Sequence, residues 1–480
     1  MKKKFVKNLI IVLLLNFLVK PLWIFGIDRE VQNLLGSEIY GTYAALLSLS
    51  MILNALLDIG LTNYNTLNIS KNEQLLSKFF SHILGIKIIL GVFYLAVMLV
   101  LALLFNYNSF QLKLLIWLAF NQFLVSLTLY FRSNIAALQQ FTTDSILGVI
   151  DKFSMLLICG VLLYGSFSSQ FSIETFLLAQ TLGYLIAVFA AFFIVLKNLP
   201  VLKLKLNFIF LQSTLKKSFP YALLAILMYA YSRSDSVMME RMLPDGAYQS
   251  GIYAQSYRLL DATNFVGFLF AGLLFPIFSK MLKEKQDYSS LLQLSVNLII
   301  AFSVITASAF AFYADNWINL MYDSVDSDSP FIFKIVITCL VPLSVTYIFG
   351  TFLTASENIK RLNWIAFFGA IFNIVLNYFF IQQFSAKGAA FSQLITQFLV
   401  CLTHIVMVHQ IFKIPFQKTE TFRILTFIGM ILVVGFISKM ISENWMINCF
   451  ALIVFSLLSA LITKLLNWKA ALNILKTKFS

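Results

Sequence analysis

The chain alternates between apolar runs of about twenty residues and short polar connections, the spacing needed to carry helices across about 30 Å of hydrocarbon. Such runs fall at about 8–27, 39–61, 82–105, 112–131, 146–165, 173–196, 218–241, 252–278, 290–314, 331–354, 362–381, 388–411, 421–439 and 445–466. They predict an all-α polytopic membrane protein of about fourteen transmembrane helices, with polar residues interrupting the fourth, fifth and seventh. Two runs carry charge inside them. Phe219 to Arg241 holds Arg233, Asp235 and Glu240, and Ile252 to Phe278 holds Arg258 and Asp261. A charge near the bilayer centre costs roughly 2.5–3.5 kcal/mol on insertion scales. It persists where it faces protein, water or a ligand, so these two helices are the first place to look for function.

Composition removes the alternative of several soluble domains that the length would allow. Charged residues make up 12% and mean hydropathy is +0.86, whereas soluble domains are about 25% charged. Lys and Arg then orient the chain. With the N-terminus inside, the inner segments hold Lys2, Lys3, Lys4, Lys7, Lys71, Lys78, Arg132, Lys197, Lys203, Lys205, Lys216, Lys217, Lys280, Lys283, Lys285, Lys360, Arg361, Lys413, Lys418 and Arg423. Lys464, Lys469, Lys476 and Lys478 follow in the tail, while the outer segments hold only Arg29, Arg241, Lys387 and Lys439. Both termini are expected in the cytoplasm. The net charge of +14 is accounted for by this bias and by attraction to anionic membrane lipids. No basic helix or aromatic platform points to nucleic acid. The first run follows Met1–Lys4 as a signal sequence would, but no small-residue cleavage pattern follows it, so it is expected to remain as a helix.

Enzyme and metal chemistry find little support. Cys159, Cys339, Cys401 and Cys449 each sit alone in a predicted helix, without the spacing of a metal site. His82, His404 and His409 form no metal spacing with a carboxylate. The external stretch Asp315–Pro330 alternates Asp323, Asp326 and Asp328 but lacks the glycine and distal glutamate of a calcium loop. No phosphate-cradling glycine loop is present. The chain is therefore expected to be a transporter without a cofactor, not an enzyme.

The chain also repeats itself. Ser37-Glu38-Ile39-Tyr40-Gly41 leads into the second helix, and Ser250-Gly251-Ile252-Tyr253-Ala254 leads into the eighth. Leu46-Leu47 and Leu259-Leu260 keep the offset, and Gly60-Leu61 and Gly272-Leu273 keep it with one residue of drift. An even number of helices per repeat gives two halves of the same orientation, a common transporter plan with substrate near the midplane.

Several of these residues resemble a known family. Arg233-Ser234-Asp235-Ser236-Val237-Met238-Met239-Glu240, Gly251-Ile252-Tyr253-Ala254, Tyr257-Arg258-Leu259-Leu260-Asp261 and Phe275-Pro276 are similar to helices seven and eight of polysaccharide-repeat flippases. Tyr40-Gly41-Thr42-Tyr43 and Leu57-Asp58-Ile59-Gly60-Leu61 are similar to helix two of the same Wzx-type exporters. These belong to the multidrug/oligosaccharidyl-lipid/polysaccharide exporter superfamily. The resemblance implies two six-helix lobes forming a V around a cavity, with two extra C-terminal helices. The lobes would be residues 1–200 and 218–412, joined by a cytoplasmic linker at 201–217, with 413–480 as the last two helices and tail. It further implies alternating access that carries an undecaprenyl-diphosphate-linked glycan across a bacterial inner membrane, for surface polysaccharide or lipopolysaccharide. Polysaccharide polymerase and chain-length machinery would be the partners. Lipid II flippases and cation-coupled drug exporters share the superfamily; a membrane-embedded enzyme of glycan assembly is the rival from another class.

A cationic cavity suits a diphosphate, and the sequence offers its candidates. Lys20 precedes Pro21, which removes a backbone hydrogen bond and kinks a helix. Lys87, Arg233, Arg258 and Lys334 complete the set of substrate contacts. Arg233 either grips a ligand or pairs with a carboxylate of another helix. Arg258 has Asp261 three residues on, and Lys87 and Lys334 are near enough to helix ends to snorkel. Asp58, Asp235, Asp261, Pro21 and Gly60 are the candidates for gating or ion coupling.

Overall fold

The computed structural model describes residues 19, 21–138, 140–165, 170–198, 208–414 and 417–466. Their apolar runs fold as helices because a spanning segment must satisfy its own backbone groups, and no strand occurs among the described residues. A π-helical turn, Trp23–Asp28, enters α1 (Arg29–Ile52). There follow α2 (Leu61–Lys71), α3 (Leu76–Leu104), α4 (Ser109–Ala137), α5 (Phe141–Tyr164), α6 (Ile173–Lys197) and α7 (Phe208–Met242). Then come α8 (Gly246–Lys283), α9 (Ser289–Phe312), α10 (Ala314–Met321), α11 (Ser329–Thr338), α12 (Leu340–Ala355), α13 (Ile359–Phe412), α14 (Lys418–Ser438) and α15 (Trp445–Ile462).

Ten of the described helices are long and apolar enough to cross a membrane. Helix α13 holds two of the expected runs, because Ser385 (φ 50°) breaks its 54 residues into two helices. The runs expected at 39–61 and 218–241 correspond to α1 and α7, which fall outside those ten. Most of the first run, with Lys20, lies outside the described residues, as do 201–207 of the expected linker and the tail from 467, while 208–217 of that linker form the start of α7.

The helices gather into two units, Met1–Gly251 and Ile252–Ser480. In the first unit, α4 packs on α6, α5 on α6, and α7 on α1. Its core is aromatic and aliphatic: Phe80 stacks on Tyr130 at 5.8 Å amid Ile83, Ile135 and Ala191. Helix α4 begins with a capping box in which Asn108 and Gln111 exchange side-chain and backbone hydrogen bonds. In α1, Gly41 lies directly against the Ala247 carbonyl, and Gly251 lies against that of Ser37. The absence of a side chain at both glycines lets the backbones of α1 and the start of α8 touch. The two stretches that repeat in sequence thus meet here in space. In the second unit, α12 packs on α13, and α14 and α15 on α9.

Candidate functional site

Helix α1 does not run into α2. After Ile52 a 3₁₀ turn (Asn54–Leu57) leads to Asp58, then to two positive-φ residues, Ile59 (φ 43°) and Gly60 (φ 77°). A β-branched residue adopts that conformation only when its surroundings hold it there. Gly60 tolerates it, and any Cβ placed there would stand 2.6 Å from the Cβ of Ser218.

A closed set of polar contacts secures the break. The Asp58 carboxylate accepts from the Thr62 N–H at 3.3 Å and from the Thr62 hydroxyl at 2.5 Å. It also forms an ion pair with Lys87 of α3, a side chain only 1% exposed. Lys87 donates a second bond to Ser126 Oγ at 2.8 Å, and Ser126 donates to the Leu57 carbonyl at 3.2 Å. A carbonyl freed by the broken helix is thereby satisfied. Asn54 and Gln122 join the same region to α4 at 2.8 Å. So the structure brings Asp58, Gly60 and Lys87 together at one helix break, with the Lys87 ammonium already engaged.

Helix α7 carries the densest charge. Asp235 is 1% exposed, Glu240 is buried and Arg233 is half-buried. Arg233 and Asp235 are both engaged by neighbouring groups. The C-terminal end of α7 is a clasp. Glu240 pairs with Arg241 and accepts from Gln111 Nε2 at 2.6 Å. Arg241 donates to the Phe105 carbonyl at 2.7 Å and lies 4.4 Å above the Tyr107 ring. Burial, then the nearby Glu240 carboxylate, push the Tyr107 phenol well up, so it stays neutral beneath the guanidinium.

Two charged side chains that sequence reasoning missed belong to the same unit. Asp28, buried at the end of the π-helical turn, accepts from the Tyr40 hydroxyl at 2.9 Å and from Gln32 at 3.2 Å. Lys152 of α5 lies 3.7 Å from Asp151, 3.3 Å from the Tyr184 hydroxyl and 5.3 Å from the centre of the Trp23 ring. Pro21 stands two residues before that turn. Lys152 was visible as a charge inside the run 146–165; Asp28 directly follows the first run, where it reads as a membrane-edge residue.

The second unit handles polarity differently. Arg258 and Asp261, three residues apart, stand 3.9 Å from each other, and Lys334 is exposed on α11. Inside α13 the buried polar groups are neutral. Asn373 donates to Thr396 at 3.3 Å and Asn377 to Asn373 at 3.0 Å, with Gln393 and Gln397 fully buried beside them. No group of side chains able to hold a metal occurs among the described residues, and all four cysteines are free and buried.

A family described as "polysaccharide biosynthesis protein" matches residues 5–282. A search of curated proteins finds no match. Among solved structures, a lipid II flippase, MurJ, in an inward closed conformation aligns with TM-score 0.71 at 15% identity, over 95% of this chain and 98% of that one. An inward-facing multidrug resistance MATE transporter of the MOP superfamily aligns with TM-score 0.63 at 11% identity, over 84% and 98%. A MOP superfamily transporter from Pyrococcus furiosus, whose title reports a reversed polarity of the binding pocket, aligns with TM-score 0.54 at 12% identity, over 85% and 93%. The chain therefore has the fold of these membrane transporters.

Proposed function

The chain belongs to the polysaccharide biosynthesis protein family, and from that membership we propose that it is a flippase for an undecaprenyl-diphosphate-linked oligosaccharide. It works by alternating access in the bacterial inner membrane, with both termini in the cytoplasm, and supplies surface polysaccharide or lipopolysaccharide synthesis. The observation that carries this reading is that the family match and the transporter fold overlap on one stretch, residues 5–282. That stretch holds Lys20, Lys87, Arg233 and Arg258. A solved structure of the same fold is that of a lipid II flippase, which supports a lipid-linked cargo.

Within this reading Arg233 and Lys20 grip the diphosphate. An arginine meets two phosphate oxygens at once through its planar fork. The two residues also stand in register: Lys20 precedes Ser37 by the same interval that separates Arg233 from Ser250. Each repeat thus offers one cation at the same position. Arg258, close to Asp261, and Lys334 are secondary contacts. Lys87, held by Asp58, serves the helix break rather than the cargo, and Asp58, Gly60 and Asp235 belong to the moving parts. The polymerase and chain-length machinery downstream would draw the product away.

The test is transport of fluorescent undecaprenyl-diphosphate oligosaccharide in proteoliposomes. Losing a hydrogen bond to a charged group costs about 1.5–3 kcal/mol, so Arg233→Ala and Lys20→Ala should each lower apparent affinity at least about tenfold. Wild-type transport by both would remove the assignment of the grip. Lipid II offered in competition decides the nearer rival: preference for it would replace the proposed cargo. A new chemical product formed in detergent, where no sidedness exists, would make the protein an enzyme instead.

A further inference from the structure

The last two helices shape a cavity together with α9 and α10. It opens where α9 passes into α10 and where α14 turns into α15, and its volume is about 660 Å³. Lys439 and Asp315 flank it, so the orientation rule puts it on the outer face. Most of its lining is polar. Asp315, Asn316 and Glu443 stand exposed on its walls, while Met440 and Ile441 form an apolar lip. Lys439 crosses it above Phe312 and Tyr313, with its ammonium 5.8 and 6.0 Å from the two ring centres.

The deep end is built. Asn448 is only 5% exposed; its Nδ2 donates to the Ser442 carbonyl at 2.7 Å. Its Oδ1 is buried and has no partner. An acceptor left in that state is unfavourable, and a hydroxyl from a bound molecule would satisfy it. The floor beside it is rigid. The Tyr313 and Ser438 hydroxyls bond at 2.7 Å, the Trp445 ring lies 6.5 Å from Tyr313, and Trp317 meets Trp445 edge-on at 5.1 Å.

We propose that this cavity binds a neutral or amino sugar of a glycan at the outer surface. Sugar hydroxyls both donate and accept, and the cavity offers acceptors in Asp315, Glu443 and Asn448 Oδ1 together with donors in Asn316 and Lys439. Two carboxylates against one ammonium make it a poor host for a diphosphate, so it is a site for the glycan rather than for the lipid headgroup. The apolar lip suits the C–H face of a pyranose ring. That the sugar comes from the flipped glycan rests on the reading given above; the hydroxyl-rich chemistry of the site does not.

The experiment uses full-length protein in nanodiscs. It is titrated with lipid-free repeat oligosaccharide released from the source cells' surface polysaccharide, and Trp fluorescence is followed, since Trp317 and Trp445 adjoin the cavity. Saturable quenching is expected, weakened at least about fivefold in Asp315→Ala and in Asn448→Leu, whereas inorganic diphosphate gives no saturable change. Asp315 is exposed and tolerates replacement if Asn448→Leu fails to fold. No saturation with the oligosaccharide, wild-type binding in Asp315→Ala, or an equal response to diphosphate would each overturn the site. Transport measured on the same preparation separates the two conclusions. Transport without saccharide binding removes this site alone, and saccharide binding without transport removes the flippase reading alone.

Discussion

The two units solve one problem in opposite ways. Every buried Asp, Glu or Lys among the described residues, namely Asp28, Lys87, Asp235 and Glu240, lies in Met1–Gly251. In Ile252–Ser480 the buried polar side chains are amides, hydroxyls and the imidazole of His404. Both units contain broken helices whose backbone needs support inside a membrane. The first supports its break with an ion pair, Asp58–Lys87; the second ties the two arms of its kinked α13 together with neutral amides and hydroxyls. The difference matters because the two devices fail differently. An ion pair that loses one member leaves a charge in an apolar medium, while an amide that loses a neighbour leaves only a dipole. The first unit is therefore the one whose conformation responds sharply to charge.

Removing Asp58 is the most direct way to break this contrast. Lys87 would remain 1% exposed without its counter-ion, a situation that costs about 3–5 kcal/mol. Asp58→Leu should strongly lower the melting temperature and the yield of monodisperse protein in detergent. Lys87→Met should do much less, because Asp58 is partly exposed and keeps both bonds from Thr62. The double replacement should recover most of the loss. Equal damage from the two single replacements would show that the pair is not the support of the helix break.

The asymmetry between these residues explains what the sequence could tell. The break was legible only in part: Asp58 and Gly60 stand out as gating candidates, but the apolar run 39–61 predicts a helix continuous through them. The charges of α7 were legible too, since a membrane helix with Arg233, Asp235 and Glu240 needs a reason. The partners were not. Lys87 lies far along the chain from Asp58, and only the packing of α3 against the break joins them. Its position in the run 82–105 equally suited snorkelling. Asp28 was hidden for a related reason. It closes the first apolar run, where a carboxylate normally meets water, yet the turn into α1 folds it back onto Tyr40. Local pairs such as Arg258 and Asp261 could be read from spacing; pairs across helices could not.

The second unit should yield less to the same treatment. Asn373 bonds Thr396 and accepts from Asn377, so Asn373→Ala removes buried hydrogen bonds at a cost of about 1–3 kcal/mol. Replacing Asn373 and Gln393 together by Leu should cost less than the sum of the single changes, because both members of the contact become apolar. Thermal unfolding of the wild type, Asn373→Ala, the two single Leu variants and the double variant in one detergent provides the comparison. A loss from Asn373→Ala larger than that from Asp58→Leu would reverse the ranking of the two units.

The smallest effect is expected from an ion pair of the first unit that is not buried. Lys113 and Glu174 meet at 2.6 Å, but their side chains are 54% and 39% exposed. Distance alone would rank this bridge above Arg132–Asp144 at 2.8 Å; solvation ranks it near the bottom. Exposed pairs contribute about 0–1 kcal/mol and are screened by salt, so Lys113→Ala should shift the melting temperature slightly at low ionic strength and not measurably at high. Glu174 keeps a second role in the first turn of α6, where a carboxylate favours the positive end of the helix dipole. Glu174→Gln should accordingly cost a little more than Lys113→Ala. If Lys113→Ala instead matched Asp58→Leu, burial would not be the variable that separates strong from weak charge pairs in this protein, and the contrast between its two units would need another cause.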